Sequence, residues 1–91
     1  MEFAWDAAKN ARNIELRGLP FGLAKTLLAG PVLNRIDDRR DYGETRLRAV
    51  GRAGTDVLVC IYTIRGDVIR VISLRRANRR ERDAHRALQG E

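Results

Sequence analysis

The segment Val57-Leu58-Val59-Cys60-Ile61 constrains the fold of this chain more than any other feature of the sequence. Side chains alternate across a β-strand, so this run presents apolar groups on both faces. A strand of that kind belongs at the centre of a sheet, where both faces are covered. Period-two patterns predict four strands that follow one another through short connections, at Val32–Ile36, Thr45–Gly51, Asp56–Thr63 and Asp67–Leu74.

Capping signals on either side of these strands predict three helices. Asp6 can cap a first helix, which Gly18 ends, and Asn78 followed by Glu81 is a capping-box variant that opens a last helix. The helices are predicted at 7–16, 22–29 and 79–88. The fold class is therefore α+β, with two N-terminal helices, a four-stranded antiparallel sheet and a C-terminal helix, the helices packing on one sheet face.

Length limits what the chain can do. A chain of 91 residues buries about 60–65% of its unfolded surface, which supports one core, so a single domain is expected over residues 1–91. The longest apolar stretch is far shorter than a membrane span, and the N-terminus lacks the pattern of a signal peptide. We expect a cytoplasmic protein without membrane contact. One cysteine, Cys60, allows no internal disulfide, and no residue spacing indicates a metal or a cofactor.

Charge indicates the kind of partner. The net charge is +6, and sixteen of the eighteen cationic residues are Arg, which pairs with phosphate or carboxylate through two parallel hydrogen bonds. Residues 65–91 alone contribute +4. A polyanion or an acidic protein is therefore the expected partner. The alternative is that the Arg residues form an ordinary solvated surface, offset by neighbouring carboxylates.

Several Arg residues are candidates for one phosphate-binding concavity beside the last helix. Arg46 and Arg48 share one face of their predicted strand, because side chains alternate. The candidates for catalysis are Glu44, Arg46, Arg70, Ser73, Arg75, Arg76 and His85, and those for RNA binding are Arg48, Arg65, Arg79, Arg80 and Arg82.

RNA cleavage is the enzymatic chemistry that such a set of residues can support. The 2′-hydroxyl of the substrate attacks the neighbouring phosphate, so the protein needs only to align groups, stabilise charge and move protons. Ser73 would orient the ribose, and Glu44 or His85 would move protons. Glu44 has the alternative role of a salt-bridge partner for Arg, and His85 that of a solvated surface residue. A non-catalytic nucleic-acid-binding module and a domain that binds an acidic protein also remain open.

Motifs along nearly the whole chain resemble the BrnT-like toxins, the ribonucleases of a bacterial type II toxin–antitoxin system. The matching segments are Phe3-x-Trp5-Asp6-x-x-Lys9-x-x-x-Asn13, Gly18-x-x-Phe21, Asp37-x-Arg39-x-Asp41-Tyr42-Gly43-Glu44-x-Arg46, Val50-Gly51-Arg52, and Tyr62-Thr63-x-Arg65-Gly66-Asp67-x-Ile69-Arg70-x-Ile72-Ser73-x-Arg75-Arg76-Ala77 with Arg80-Glu81-Arg82. The last of these is the most specific.

The resemblance implies a RelE-like ribonuclease fold and an RNA-degrading activity that inhibits translation. It also implies a hetero-oligomer with a BrnA-like ribbon-helix-helix antitoxin. The toxin would then contact DNA only indirectly, through the antitoxin. Two departures from the family pattern predict a weakened or inactive toxin. Leu16-Arg17 stands where the family usually has Lys-His, and His85 stands where it tends to have Tyr.

Overall fold

The computed structural model describes residues 1–90 as three helices and five strands. In chain order these are β1 (Glu2–Trp5), α1 (Ala7–Arg17), α2 (Leu23–Ala29), β2 (Val32–Ile36), β3 (Leu47–Ala53), β4 (Asp56–Arg65), β5 (Val68–Arg76) and α3 (Arg79–Leu88). The α+β class, the three helices and the four predicted strands are confirmed, with β3, β4 and β5 each continuing about two residues beyond their predicted ends.

The sheet has five strands and is mixed, so the prediction of four antiparallel strands was wrong. The strand order is β1-β5-β4-β3-β2, with β4 at the centre as its apolar pattern predicts. Strands β2 to β5 pair antiparallel, whereas β1 pairs parallel with β5, in a register that sets Phe3 beside Ile69. The short segment before the Asp6 cap becomes a strand because Phe3 and Trp5 both pack against the core.

One sheet face is closed by α1 and α2. The buried residues of this face come from the loop after α1, from α2 and from three strands, and the largest that are fully buried are Phe21, Leu27, Leu58 and Leu74. Gly51 in β3 allows α2 to approach closely, because a Cβ atom there would lie 2.8 Å from a methyl carbon of Val32 and 3.1 Å from Leu27. We call this the closed face.

The opposite face is only partly covered, by α3. A smaller cluster of Val50, Val59, Ile61 and Ala77 lies there, and α3 packs mainly against β2 and β3. The prediction that all helices pack on one face was therefore wrong. The reason is the central strand, whose alternate residues Val59 and Ile61 are apolar and need cover on this side too.

Helix ends follow the predicted capping chemistry. The Asp6 carboxylate accepts a hydrogen bond from the Lys9 amide at 2.9 Å, and Gly18 ends α1 in the left-handed region at a φ of 68°. Asn78 and Glu81 form the reciprocal bonds of a capping box at α3. Within residues 1–90, no helix is long and apolar enough to cross a membrane.

Candidate functional site

A row of polar side chains crosses the half-open side of the sheet, beside α3. Four residues lie opposite one another across strands β2 to β5. Arg35 pairs with Arg48, and Ile61 of the central strand pairs with Arg48 on one side and with Ser73 on the other. Because paired residues point to the same side of a sheet, both guanidinium groups share the side of Ile61. The basic sheet face is defined here as Arg35, Arg46, Arg48, Arg70, Ser73 and Arg75.

A bulge in β5 brings three of these residues to one side. Arg70 pairs with Thr63, Ser73 with Ile61 and Arg75 with Val59, and the register shifts between Ile61 and Tyr62. Strict alternation would put Arg70 and Arg75 on opposite faces, because their numbers differ by five. The extra residue in β5 turns them to the same side.

Among the described residues, two Arg side chains lie opposite one another on this face and form no ion pair with a carboxylate. Arg35 and Arg48 are cross-strand partners, and such a like-charge pair destabilises a sheet. Among residues 1–90, neither they nor Arg70 have a carboxylate within ion-pair distance. This arrangement has a cost for folding that an anionic ligand would remove.

Arg75 is held in place by α3. Its Nη1 and Nη2 donate to the two carboxylate oxygens of Glu81 at 2.8 and 2.9 Å. This bidentate bond, together with the Asn78 amide, lowers the pKa of Glu81 to about 2. Glu81 therefore stays ionised at neutral pH, and it fixes the orientation of Arg75 at the border between the sheet and the helix.

Arg46 lies between an aromatic ring and a carboxylate. Its guanidinium carbon is 4.0 Å from the centre of the Tyr42 ring, a cation–π distance, and its Nε is 3.6 Å from Glu44 Oε2. Glu44 also accepts a hydrogen bond from Arg65 Nη2 at 2.9 Å. Arg65 and then Arg46 lower the pKa of Glu44 below its usual value. Glu44 is ionised at neutral pH, and its side chain is 26% exposed.

The charged loop between β2 and β3 is ordered around a buried acid. The Asp37 side chain is only 2% exposed, and it accepts two hydrogen bonds from Arg39 at 2.7 and 2.9 Å. The Tyr42 hydroxyl approaches the same carboxylate at 3.4 Å. The Arg39 hydrogen bonds lower the pKa of Asp37. The loop thereby holds the Tyr42 ring against Arg46.

A cleft of about 430 Å³ separates α3 from the two strands that it covers. Its lining combines an apolar floor with cationic walls and comprises Leu33, Arg35, Arg48, Val50, Asn78, Arg80, Glu81 and Ala84. Arg35 and Arg48 belong to both the cleft and the basic sheet face, so the two are continuous.

Arg76 lies apart from the other candidates. It pairs with Leu58, a residue of the closed face, and its Nη1 donates to the Arg17 carbonyl oxygen at 2.8 Å. It therefore stabilises the end of α1, on the opposite side from Arg75. On α3, Arg79 is exposed, and Arg82 Nη1 donates to the Ala77 carbonyl oxygen at 2.8 Å.

His85 is buried beneath α3 instead of lying at the surface, so its interpretation as a solvated residue was wrong. It is 1% exposed, and its Nε2 lies 3.0 Å from the Pro31 carbonyl oxygen. This contact ties α3 to the start of β2. The ring therefore has no open path to a substrate on the basic sheet face.

Three residues of this region are absent from the sequence-based candidates. Arg35 could have been found by pairing the predicted strands, since it shares the side of Arg48 once the hairpin register is set. Tyr42 and Arg39 belong to the quoted family motif, but nothing in their spacing indicates that they enclose Asp37 and support Arg46. Over residues 1–90, His, Cys, Asp and Glu side chains form no group of three that could hold a metal ion.

The structure is that of a small α+β protein whose sheet presents Arg side chains on one side. A family model described as the ribonuclease toxin, BrnT, of a type II toxin–antitoxin system matches residues 5–81. The chain therefore belongs to the BrnT family of ribonuclease toxins. A search of curated proteins finds no match to it.

Proposed function

We propose that this protein is a metal-independent endoribonuclease that binds RNA across the basic sheet face and thereby stops translation. The proposal rests on the family, which supplies the ribonuclease class, and on the cationic face, which supplies a place for the substrate. The observation that carries it is the set of Arg35, Arg48 and Arg70, which share one face and have no carboxylate within ion-pair distance among the described residues.

The proposed reaction uses the substrate's own nucleophile. The 2′-oxygen attacks the adjacent phosphorus, the bond from phosphorus to the 5′-oxygen breaks, and the products are a 2′,3′-cyclic phosphate and a 5′-hydroxyl end. One proton leaves the 2′-hydroxyl and one reaches the departing 5′-oxygen. Arg48, Arg70 and Arg75 hold the phosphate and stabilise the extra negative charge of the phosphorane, while the Ser73 hydroxyl orients the ribose.

Glu44 is the proposed proton acceptor, because it is the partly exposed carboxylate beside Arg46. Its lowered pKa makes it a weak base, so most of the rate acceleration must come from charge stabilisation by Arg. Glu44 is ionised at every pH above its lowered pKa. As the pH falls from 7, cleavage should therefore be retained until the Glu44 carboxylate becomes protonated. His85 takes no part, since it is buried.

A second candidate is RNA binding without cleavage. It is favoured by one observation: the pKa of Glu44 is lowered and His85 is buried, whereas an efficient general base is accessible and has a pKa near neutrality. The basic sheet face would then act by covering RNA instead of cutting it.

The decisive experiment is cleavage of single-stranded RNA by the purified chain in buffer with EDTA, together with growth of bacteria that express the chain alone. The proposal expects cyclic-phosphate ends, resistance to EDTA and growth arrest. If the chain binds RNA but leaves it intact, the second candidate is established. Cleavage that EDTA abolished would overturn the metal-independent mechanism.

The proposed partner is a BrnA-like antitoxin of the ribbon-helix-helix type that forms a hetero-oligomer with the toxin. We propose that it covers the basic sheet face or α3 with an acidic segment, and so excludes RNA without any change in the toxin's conformation. Charges of opposite sign steer association, and salt screens them over about 8–10 Å at physiological ionic strength.

Two measurements test this form of inhibition. The association rate of toxin and antitoxin should fall as salt rises, and RNA binding should fall in proportion to antitoxin occupancy. A flat salt titration, or a saturated complex that binds RNA at full strength, would place the inhibitory contact on another surface.

A further inference from the structure

We propose that the cleft between α3 and strands β2 and β3 is a base-recognition subsite that prefers guanine. This inference rests on the proposed RNA binding at the basic sheet face and adds the base that the protein selects. It starts from a cavity of about 430 Å³, within the usual range for small-molecule sites.

The floor of the cleft suits the face of an aromatic ring. Leu33 and Val50 are cross-strand partners and lie side by side beneath the cleft, and Ala84 adds a methyl group from α3. A nucleobase can lay its apolar face on such a floor while its edge reaches the walls. A bare phosphate would leave this apolar surface unused.

The walls select the edge of the base. Arg35, Arg48 and Arg80 supply hydrogen-bond donors and no acceptors. Guanine presents two adjacent acceptors, O6 and N7, which Arg contacts with two parallel bonds. Adenine offers N7 beside an amino donor, and cytosine also carries an amino donor, so both would oppose an Arg donor with another donor.

The one acid in the cleft is already engaged. Glu81 Oε1 accepts from Arg75 Nη1 and from the Asn78 amide, each at 2.8 Å, and Oε2 accepts from Arg75 Nη2 at 2.9 Å. Both Glu81 oxygens therefore already accept hydrogen bonds, and its charge also attracts Arg48 across the cleft. Three Arg side chains against this one engaged carboxylate leave the cleft rich in hydrogen-bond donors. Arg48 lines both the cleft and the row that contains Ser73, so a base in the cleft would carry its phosphate toward the basic sheet face.

The test measures base preference separately from cleavage. Four fluorescent octanucleotides of 2′-fluoro RNA, which lacks the attacking hydroxyl, carry one central guanine, adenine, cytosine or uracil among uridines. Anisotropy titrations at fixed salt should show about 5- to 100-fold tighter binding of the guanine probe than of the adenine probe. Equal binding of all four probes by the unaltered chain would overturn the proposal.

Two variants locate the preference in the cleft. Arg80→Ala removes a donor, and Ala84→Phe fills the space from an exposed helix position; each should bring the guanine-to-adenine ratio close to one. Arg79→Ala is the control, since it removes the same charge from the same helix outside the cleft. It should weaken all four probes alike.

The outcomes separate this inference from the proposed ribonuclease. If Arg80→Ala and Ala84→Phe keep the guanine preference while their melting temperatures match the parent chain, the cleft is not the subsite, whatever the cleavage assay shows. If guanine preference is lost in both variants but natural RNA is never cut, the subsite stands and the ribonuclease proposal fails.

Discussion

The two faces of the sheet differ in what they contribute: the closed face stabilises the fold, and the basic sheet face presents charged side chains. The closed face is apolar, is covered by two helices and contains Phe21, Leu27, Leu58 and Leu74 at full burial. The basic sheet face lies beside a single helix and displays Arg side chains that oppose one another across strands. The first arrangement lowers the free energy of the folded state, whereas the second raises it in the absence of a ligand. The contrast separates the residues that stabilise the fold from those that a ligand would contact.

The largest expected effect is a loss of stability on the closed face. Leu58→Ala should lower the free energy of unfolding by about 2–5 kcal/mol, because it leaves a cavity in a fully buried cluster. Urea titration measures this change. Ile64→Ala on the same strand is the control, since Ile64 is 47% exposed and should cost far less. If the two variants lowered the free energy of unfolding equally, the buried cluster of the closed face would not be the main source of stability.

Removing an Arg from the basic sheet face should reduce RNA cleavage without reducing stability, the reverse of what is expected for Leu58→Ala. Arg48→Ala should reduce RNA cleavage by about two to three orders of magnitude, the effect of removing one preorganised charge-stabilising donor. The urea midpoint should stay the same or rise, because a like-charge pair with Arg35 disappears. Arg12→Ala on α1 removes the same charge from a distant surface. Similar losses of cleavage in both variants would contradict the location of the site.

Acid should weaken the contact that holds Arg75. The pKa of Glu81 is lowered from 4.5 to about 2, so its stabilisation is complete above pH 4.5 and is lost as the pH falls toward 2. Glu81→Gln should therefore cost about 1–3 kcal/mol at pH 7 and little near pH 2, measured by urea titration. The control is Asp83→Asn, because Asp83 is exposed and lies 3.8 Å from Arg86. A cost for Glu81→Gln that did not change with pH would contradict this assignment.

The smallest expected effect concerns the ring beneath Arg46. Tyr42→Ala should weaken RNA binding about two- to fivefold, because the cation–π contact orients the guanidinium group. Tyr42→Phe keeps the ring and should bind nearly as the parent chain does, with the 3.4 Å hydroxyl contact to Asp37 lost. Anisotropy with a 2′-fluoro RNA probe distinguishes the two variants. If Phe weakened binding as much as Ala, the hydroxyl and not the ring would position Arg46.

The comparison also shows what the sequence could predict. Local patterns were sufficient for the α+β class, the central position of Val57–Ile61 and the caps at Asp6 and Asn78, since each depends on neighbouring residues. Strand β1 was missed because it has four residues and its parallel partner β5 is more than sixty residues away along the chain. Pairing over that distance leaves no local signal.

The site depended on register, which the sequence does not display. Alternation alone groups Arg70 with Arg76, and only the bulge in β5 moves Arg75 to the side of Arg70 and leaves Arg76 beneath α1. Arg46 and Arg48 were placed on one face by simple alternation, because β3 has no such irregularity. The burial of His85 was likewise invisible, since it depends on the packing of α3 against β2 and β3, which brings the ring to the Pro31 carbonyl oxygen.

The most direct test of the division between the two faces compares Arg70→Ala with Arg76→Ala. Both variants lose one positive charge from the same strand, and in a regular strand both residues would share a face. RNA cleavage and melting temperature are measured for each. The bulged register predicts that Arg70→Ala loses cleavage by about a hundredfold or more with an unchanged melting temperature, whereas Arg76→Ala retains cleavage and melts lower. Equal cleavage by the two variants, or a greater loss in Arg76→Ala, would contradict it.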